Sequence, residues 1–177
     1  MKKTILSIAL AIAALNASAQ SSQAENLFEK YSSQDGYTSV NIGKSMFELF
    51  AKITSQKESQ EFNELSAKLN SLKILSLDST SNAHRQKDFY QEIISSLPKS
   101  DYTDLMTVKE GKGEVRFFIK EKSNVISELI LAIGGNKGET TLIALQGDID
   151  LKKLSKLSKS MDIKELKHLE NTNRKPN

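Results

Sequence analysis

The chain of 177 residues contains no cysteine. This absence excludes disulfide bonds, thiolate catalysis and zinc sites built on cysteine ligands. It also excludes the lipid anchor of bacterial lipoproteins, because the acyl chain of those proteins is attached to a cysteine that follows the export signal. The stability of the fold must therefore come from its apolar core and its backbone hydrogen bonds.

Tryptophan is absent and histidine is rare, with His84 and His168 as the two histidines of the chain. Neither histidine lies in an HExxH or comparable metal-binding spacing, so we expect both at the surface and predict no metal or cofactor. A chain without tryptophan also lacks a common aromatic platform for sugars. A hydrolase that acts on an envelope polymer through two carboxylates, brought together by the fold, remains an open alternative.

Charge of one sign is not in excess. The chain has 25 basic and 22 acidic side chains, and two of the basic ones, Lys2 and Lys3, lie within the first 19 residues. Residues 20–177 therefore carry 23 basic and 22 acidic side chains. Proteins that bind nucleic acid usually concentrate a basic excess on one face. The balance of charge thus predicts that the chain has no nucleic-acid partner.

Long apolar runs are also absent, and the longest is the stretch from Ile5 to Leu15. It follows Lys2 and Lys3 and precedes Ala17-Ser18-Ala19, which is the order of a secretory signal peptide. Its length of about 11 residues is well below the roughly 20 residues of a membrane-spanning helix. We therefore predict cleavage near Ala19-Gln20, a periplasmic or secreted location, and no transmembrane segment in the mature chain.

The spacing of apolar residues predicts helices in the first part of the mature chain. The predicted helical regions cover residues 24–34, residues 44–54 with a continuation at Phe62, Leu65 and Leu69, and Phe89 to Leu97. The second region fits two helices and one broken helix equally well. The third should end before Pro98, since the residue that precedes a proline avoids helical backbone angles.

Strand-like runs occur between the helices and dominate the last third. Two early strands are predicted over residues 37–42 and 72–77, and four later ones over residues 105–110, 114–121, 125–133 and 140–146. Short links rich in glycine and asparagine join the later runs and indicate hairpins. Because Leu129 to Ile133 is apolar on both faces, we expect it to be a central strand covered on both sides.

These elements predict an α+β fold: N-terminal helices with one or two strands, then a C-terminal antiparallel meander of about four strands covered by helices. The length predicts a single domain over residues 20–170. Residues 171–177 are expected to form a flexible tail.

A basic amphipathic helix is predicted after Gly147-Asp148, capped by Asp148 or Asp150. Its leucines lie opposite lysines; the lysines are Lys152, Lys153, Lys156 and Lys159. A second short helix is predicted after Asp162. The pattern of the first helix is typical of helices that bind membrane surfaces or partners. The apolar stripe is narrow and lacks tryptophan and phenylalanine, so we expect the helix to pack on the sheet. Peripheral membrane attachment through Leu151 to Met161 remains an alternative.

Two glycine motifs resemble parts of phosphate-binding loops. Gly43-Lys44-Ser45 follows a predicted strand, but Thr38 stands where the full loop needs a glycine. We interpret this motif as a strand-to-helix turn in which Gly43 is required for its conformation. The second motif, residues 134–138, lies between two strands and precedes no helix N-terminus, so we expect a flexible hairpin loop.

Other short motifs also fall short of a site. Asp148-Ile149-Asp150 lacks the later glycine and glutamate of a calcium loop, and Ser155 and Ser158 lie near lysines without an SxxK signature. Asp78-Ser79-Thr80 resembles a sequon for O-glycosylation in some bacteria, although an ordinary helix-capping loop is the default explanation. No catalytic, cofactor-binding or metal-binding residue is therefore predicted.

Several segments together resemble the DUF4252 family. They are Phe28 to Tyr31, GYTSVNIGKSMFELF at residues 36–50, GEVRFFIKEKSNVISELILAIGG at 113–135 and LIALQGDIDLKKLSKL at 142–157. The resemblance implies a small exported protein of Bacteroidetes-type bacteria with no assigned activity. It also implies an accessory role linked to extracytoplasmic-function sigma factors, and hence to envelope stress signalling.

Export, balanced charge and the lack of a catalytic motif favour a non-catalytic binding or accessory protein of the cell envelope. Its expected partner is an envelope protein or peptide. The envelope-polymer hydrolase and the peripheral membrane protein remain the alternatives.

Cleavage of the signal peptide can be measured directly. N-terminal sequencing of the protein purified from its native cells should find Gln20 at or within a residue or two of the first position. An accumulated form that still begins at Met1 would contradict the prediction.

Overall fold

The computed structural model describes residues 21–53, 59–136 and 139–152. Within these ranges the chain forms four helices and six strands. The helices are α1 (Gln23–Tyr31), α2 (Lys44–Ile53), α3 (Ser59–Ser66) and α4 (Ala83–Ser96). The strands are β1 (Tyr37–Gly43), β2 (Leu69–Leu77), β3 (Thr103–Glu110), β4 (Gly113–Lys122), β5 (Val125–Asn136) and β6 (Glu139–Ile149).

All six strands belong to one antiparallel sheet with the order β1-β2-β6-β5-β4-β3. The α+β class is confirmed, and β3 to β6 follow one another as a meander. The predicted count of about four strands was too low for the sheet as a whole. Strand β2 pairs with β6 along most of its length, and β1 pairs with the other side of β2. Local periodicity cannot reveal such a pairing, because the two strands are separated by more than sixty residues.

Strand β5 lies at the centre of the sheet and is buried on both faces. Ile130 and Ala132 contribute to the core on the first face, whereas Leu129 and Leu131 contribute to the core on the second. None of these four side chains is more than 1% exposed. The predicted central strand is thus confirmed, and the sheet separates two apolar layers.

The first face is covered by α1 and α4. Phe89 of α4 makes edge-on ring contacts with Tyr31 and Tyr37, with centroids 5.3 and 5.0 Å apart. Asn82 caps α4 by accepting a hydrogen bond from the Arg85 backbone N–H at 2.8 Å. Leu97 is extended and ends the helix directly before proline, as predicted.

A polar contact also joins α1 to α4 beside this core. Glu92 accepts hydrogen bonds from the Tyr31 hydroxyl at 2.5 Å and the Lys30 ammonium at 2.6 Å. Burial alone would raise the pKa of the Glu92 carboxyl, but the two hydrogen bonds outweigh burial and the net pKa is lowered. This carboxylate therefore favours the folded state above the pKa of an unfolded glutamate and loses that effect as the pH falls through its own pKa.

The second face is covered by α2 and α3 at its β1–β2 side. Phe47 of α2 and Leu65 of α3 are buried there with Leu69 of β2. Phe117 of β4 belongs to the same core and is fully buried. The helical region predicted from residue 44 onward is therefore two helices, with Phe47 and Leu65 pointing into one apolar layer.

Among the boundaries that differ from the prediction, three depend on neighbouring elements. Leu69 begins β2 instead of continuing a helix, because α3 ends at Ser66. Strand β5 continues through Gly134 to Asn136, and β6 continues through Gly147 to Ile149. Both extensions have backbone partners: Gly134 is opposite Glu114, and the backbone N–H of Asp148 donates to the Lys68 carbonyl at 3.0 Å. The length of a strand thus depends on its neighbours as well as on its own residues.

The start of the predicted basic helix is seen at Leu151 and Lys152. The backbone N–H of Lys152 donates to the Asp150 carboxylate at 2.9 Å, while Asp148 pairs with Lys68 at 2.8 Å. Asp150 is therefore the residue in the capping position. Three predicted segments lie outside the described residues: the remainder of the basic helix with the short helix after Asp162, the tail at 171–177, and the signal peptide at 1–19.

No helix in the described part of the chain combines the length and the apolar character needed to cross a bilayer.

The role of Phe117 in the second core can be tested by truncation. Phe117→Ala should lower the free energy of unfolding by roughly 3–5 kcal/mol, because it removes a fully buried ring and leaves a cavity. Val125→Ala is the control, since Val125 is 40% exposed and should cost less than about 1 kcal/mol. Urea unfolding measures both. An equal loss of unfolding free energy in the two variants would contradict the assignment of Phe117 to the second core.

Candidate functional site

Strand β1 is an edge strand whose outer side faces no other described strand. Its sequence, YTSVNIG, contains neither a charged residue nor a proline, and five of its seven residues are exposed. The opposite edge of the sheet, β3, carries Asp104, Lys109 and Glu110. Charges of this kind protect an edge from pairing with other chains. β1 lacks this protection.

Helix α2 places apolar side chains next to this edge. Met46 and Leu49 are 44% and 48% exposed and, three positions apart, lie on the same side of the helix. Val40 of β1 is 41% exposed and shares a sheet face with Ile42, which packs on the second core. We name the outer side of β1 with Val40, Met46 and Leu49 the edge surface.

A second feature is a cleft between α4 and the ends of β4 and β5. It has a volume of about 360 Å³. We name it the α4 cleft; its lining residues are Ala83, Gln86, Lys87, Tyr90, Gln91, Lys112, Glu114, Gly134 and Gly135. The helix supplies residues from successive turns, and the sheet supplies the two glycines and the turn between β3 and β4.

The two glycines are required by packing. A Cβ atom on Gly134 would collide with the ring of Tyr90. Gly135 has a φ of +74°, and a Cβ atom there would collide with the backbone carbonyl of Lys112. The motif at residues 134–138 was expected to form a flexible loop, yet Gly134 and Gly135 belong to β5. Close approach of Tyr90 and of the β3–β4 turn explains both glycines without a phosphate.

The Gln86 side-chain oxygen is buried without a hydrogen-bond partner among the described residues. The Tyr90 hydroxyl is also buried, and the Glu114 carboxylate interacts with it. Gln86 is only 6% exposed, and its side-chain nitrogen donates to the Asp78 carbonyl at 2.7 Å and the Leu77 carbonyl at 3.5 Å. Burial raises the pKa of Tyr90, and the nearby carboxylate of Glu114 adds to the effect. Tyr90 is therefore a neutral hydroxyl at physiological pH.

A third polar feature is the buried carboxylate of Glu128 in β5, which is 2% exposed. It accepts hydrogen bonds from the Tyr102 hydroxyl at 2.7 Å and the Gln146 amide at 3.2 Å. The Gln146 amide also donates to Ser22 at 3.1 Å, at the start of α1. These bonds join α1, β5 and β6, which is a structural role. Burial on both faces was predicted only for Leu129 to Ile133, and Glu128 was not singled out.

The residues singled out as candidate sites do not converge. His84 is exposed and lies 2.6 Å from the Asp88 carboxylate, one helical turn further along α4. His168, Ser155 and Ser158 lie outside the described residues. Within the described ranges, no group of three or more histidine, aspartate or glutamate residues could hold a metal ion.

Gly43-Lys44-Ser45 forms the predicted transition from strand to helix, from β1 into α2. Gly43 does not have a positive φ, and a Cβ atom there would meet no atom within 4 Å. The expectation that this glycine is required for its conformation is therefore wrong.

Asp78-Ser79-Thr80 lies in an exposed loop between β2 and α4. The Asp78 carboxylate accepts a hydrogen bond from the Thr80 backbone N–H at 2.7 Å, and this bond lowers the pKa of Asp78. The local bond explains the conformation of the loop.

A second cavity, of about 470 Å³, lies where β6 ends, and Glu121, Asp148 and Asp150 line it. Asp148 is paired with Lys68, and Asp150 accepts the hydrogen bond from the Lys152 backbone. These two acids thus have structural partners.

Comparison with known proteins gives one match. A family model described as "Domain of unknown function (DUF4252)" matches residues 31–157 and so spans β1 to β6 and α2 to α4. The searches of curated proteins and of solved structures found no match.

The contact between Gly134 and Tyr90 predicts a specific pattern of stability. Gly134→Ala should lower the free energy of unfolding by roughly 1–3 kcal/mol, because the added methyl group forces the ring away. In a Tyr90→Ala background the same substitution should cost much less. Gly43→Ala is the matched control because its new methyl group meets open space. Urea unfolding of all variants checks this, and an equal cost of Gly134→Ala in both backgrounds would contradict it.

Proposed function

Because the chain belongs to the DUF4252 family, a domain of unknown function, we propose its function from its own surface: it is a non-catalytic binding protein of the cell envelope that holds an extended segment of a partner protein against β1. The single observation that carries this proposal is the edge surface. An unprotected edge strand there lies beside exposed apolar side chains of α2.

The backbone of β1 supplies the affinity in this proposal. An edge strand presents N–H and C=O groups that an added strand can bond, and many peptide-binding domains capture extended segments in this way. No charged side chain on β1 opposes an incoming chain. The strand is seven residues long, which is enough for a ladder of several hydrogen bonds.

The side chains define the chemistry of the partner segment. Thr38, Val40 and Ile42 alternate along one face of β1, the face on which α2 lies. A segment with apolar residues at alternate positions would place them beside Val40, Met46 and Leu49 and remove apolar surface from water. The expected occupant is therefore an extended, uncharged segment with alternating apolar residues.

A binding role also agrees with the hydrogen bonds and ion pairs of three acidic side chains. Glu128 is committed to Tyr102 and Gln146, Asp148 to Lys68, and Glu92 to Lys30 and Tyr31. General acid–base catalysis needs carboxyl groups that face a substrate. These three carboxylates serve the fold instead. The remaining support for an envelope location is the signal-peptide pattern of residues 1–19. A link to envelope stress is part of this proposal, and its source is the expectation drawn from the family resemblance in the sequence.

Site-specific photocross-linking tests the proposal. Residues 20–177 carrying a photoreactive phenylalanine at position 38 should cross-link in envelope extracts to a distinct protein, whereas the same group at position 125 should not. Val40→Lys in the position-38 protein should reduce that cross-link at least tenfold, since it places a charge on the edge. Val125→Lys is the matched control, because Val125 and Val40 are similarly exposed.

The cross-linked peptide of the partner, identified by mass spectrometry, should be an uncharged segment with alternating apolar residues. A cross-link only to a second copy of this chain would instead assign the edge to self-association and overturn the proposal. A cross-link that Val40→Lys leaves unchanged would also overturn it, provided that the variant unfolds at the same temperature as the parent protein.

A further inference from the structure

We propose that Ser39 and Asn41 are the residues through which β1 bonds the backbone of its partner, and that the partner segment alternates apolar residues with neutral, hydrogen-bonding ones. This rests on the proposed function and deepens it, because it names the chemistry of the segment that β1 holds. The deciding feature is which backbone groups of β1 point away from β2.

The hydrogen bonds at the start of β1 fix the phase of its pairing with β2. Tyr37 lies opposite Leu77, and one step earlier the Asp78 backbone N–H donates to the Gly36 carbonyl at 2.8 Å. The Tyr37 N–H donates to the Gln34 carbonyl at 3.2 Å, so it is engaged outside the ladder. In an antiparallel ladder, pairs that exchange hydrogen bonds alternate with pairs that do not. Gly36 and Asp78 therefore form a bonded pair, whereas Tyr37 and Leu77 do not.

The same alternation continues along β1, because its register with β2 has no shift. Thr38, Val40 and Ile42 thus bond to β2. Ser39 and Asn41 lie between them and direct their N–H and C=O groups to the free side of the strand. Both residues are exposed, and no described strand faces this side. The edge therefore offers two donors and two acceptors at the spacing of a strand.

The side chains of β1 select what the partner presents on each face. Ser39 and Asn41 share a face with Tyr37, which packs on the first core, and a paired strand places its directly opposite residues on that same face. The surroundings there are polar, because the Ser39 hydroxyl donates to the Ser32 carbonyl at 3.3 Å and Asn41 is exposed. Serine, threonine or asparagine in the partner can pair with such groups. The partner's other residues fall beside Val40 and α2, where apolar side chains leave water.

Charge gives no reason for an ionic partner on the first face. Lys73 lies opposite Asn41 on β2, and its ammonium is paired with the Glu25 carboxylate and lies 5.0 Å from the centre of the Phe28 ring. Both charges of this pair are engaged within the fold, so a neutral polar residue suits this side better than a charged one. The partner is thus an amphipathic strand, and a uniformly apolar segment would fit only one of the two faces.

Hydrogen exchange of residues 20–177, followed by NMR, tests the phase before any partner is added. After correction for intrinsic rates, the amides of Ser39 and Asn41 should exchange at least about tenfold faster than those of Val40 and Ile42, because only the latter are bonded within the sheet. Equal rates, or protection of the opposite set, would overturn the inference and leave the edge surface of the proposed function intact.

Proline at position 41 tests the bond to the partner. Asn41→Pro removes an outward N–H and no bond of the sheet, which is a position where edge strands accept proline. In the protein with a photoreactive phenylalanine at position 38, it should reduce the partner cross-link about tenfold, whereas Asn41→Ala keeps the N–H and should reduce it less than about threefold. Equal cross-linking in the two variants contradicts the inference alone. Absence of the cross-link in the parent protein would end the proposed function as well.

A peptide probe tests the partner's chemistry without changing the protein, and it stays decisive if Asn41→Pro fails to fold. N-acetyl-Thr-Val-Thr-Val-Thr-amide alternates polar and apolar residues, and N-acetyl-Thr-Thr-Thr-Val-Val-amide has the same composition in two blocks. In NMR titrations to about 10 mM, the alternating peptide should shift the Ser39 and Asn41 amide signals in a saturable manner and bind at least about fivefold more tightly. Equal affinity of the two peptides, or no shift at these two amides, overturns the inference.

Discussion

The pairing of β2 with β6 is the interaction on which the rest of the structure depends. It inserts the last described strand between the N-terminal half of the chain and the β3–β4–β5 meander. Without it β1 and β2 would form an isolated two-stranded sheet, which is marginally stable in water. With it, the sheet is wide enough for α1 and α4 to bury one face and for α2 and α3 to cover part of the other. The edge position of β1 is a direct consequence.

Local patterns predicted most elements because their causes are local. Helical spacing located α1, α2 and α4, and proline at position 98 ended α4. Runs of β-branched or apolar residues bounded by turn residues located the strands. What they could not predict depends on distant residues. Leu69 belongs to β2 because Gly147 lies opposite, and Gly134 belongs to β5 because Glu114 pairs with it. The joining of all six strands into one sheet likewise depends on residues that are distant in the sequence.

The edge surface and the α4 cleft depend even more on distant residues. The absence of charge in YTSVNIG is visible in the sequence, but its importance appears only once β1 is known to be an edge strand. Gln86 lies within a helix whose apolar positions were predicted, yet nothing local indicates that its side-chain oxygen is buried without a partner among the described residues. The glycines at 134 and 135 were noticed as a motif and given the wrong reason. Their cause is the approach of Tyr90 and Lys112 from other elements.

The same β2–β6 pairing affects how the chain can fold. Its contacts join residues far apart in the sequence; Ser71 and Gln146, for example, are 75 positions apart and hydrogen-bonded at 3.1 Å. Proteins dominated by such distant contacts fold slowly, since a large loop must close before the contacts can form. A chain leaves the ribosome or a translocation pore with its N-terminus first. The sheet therefore cannot assemble until β6 has emerged. Until then β2 has one free edge, and a chaperone that shields extended apolar segments would have time to act.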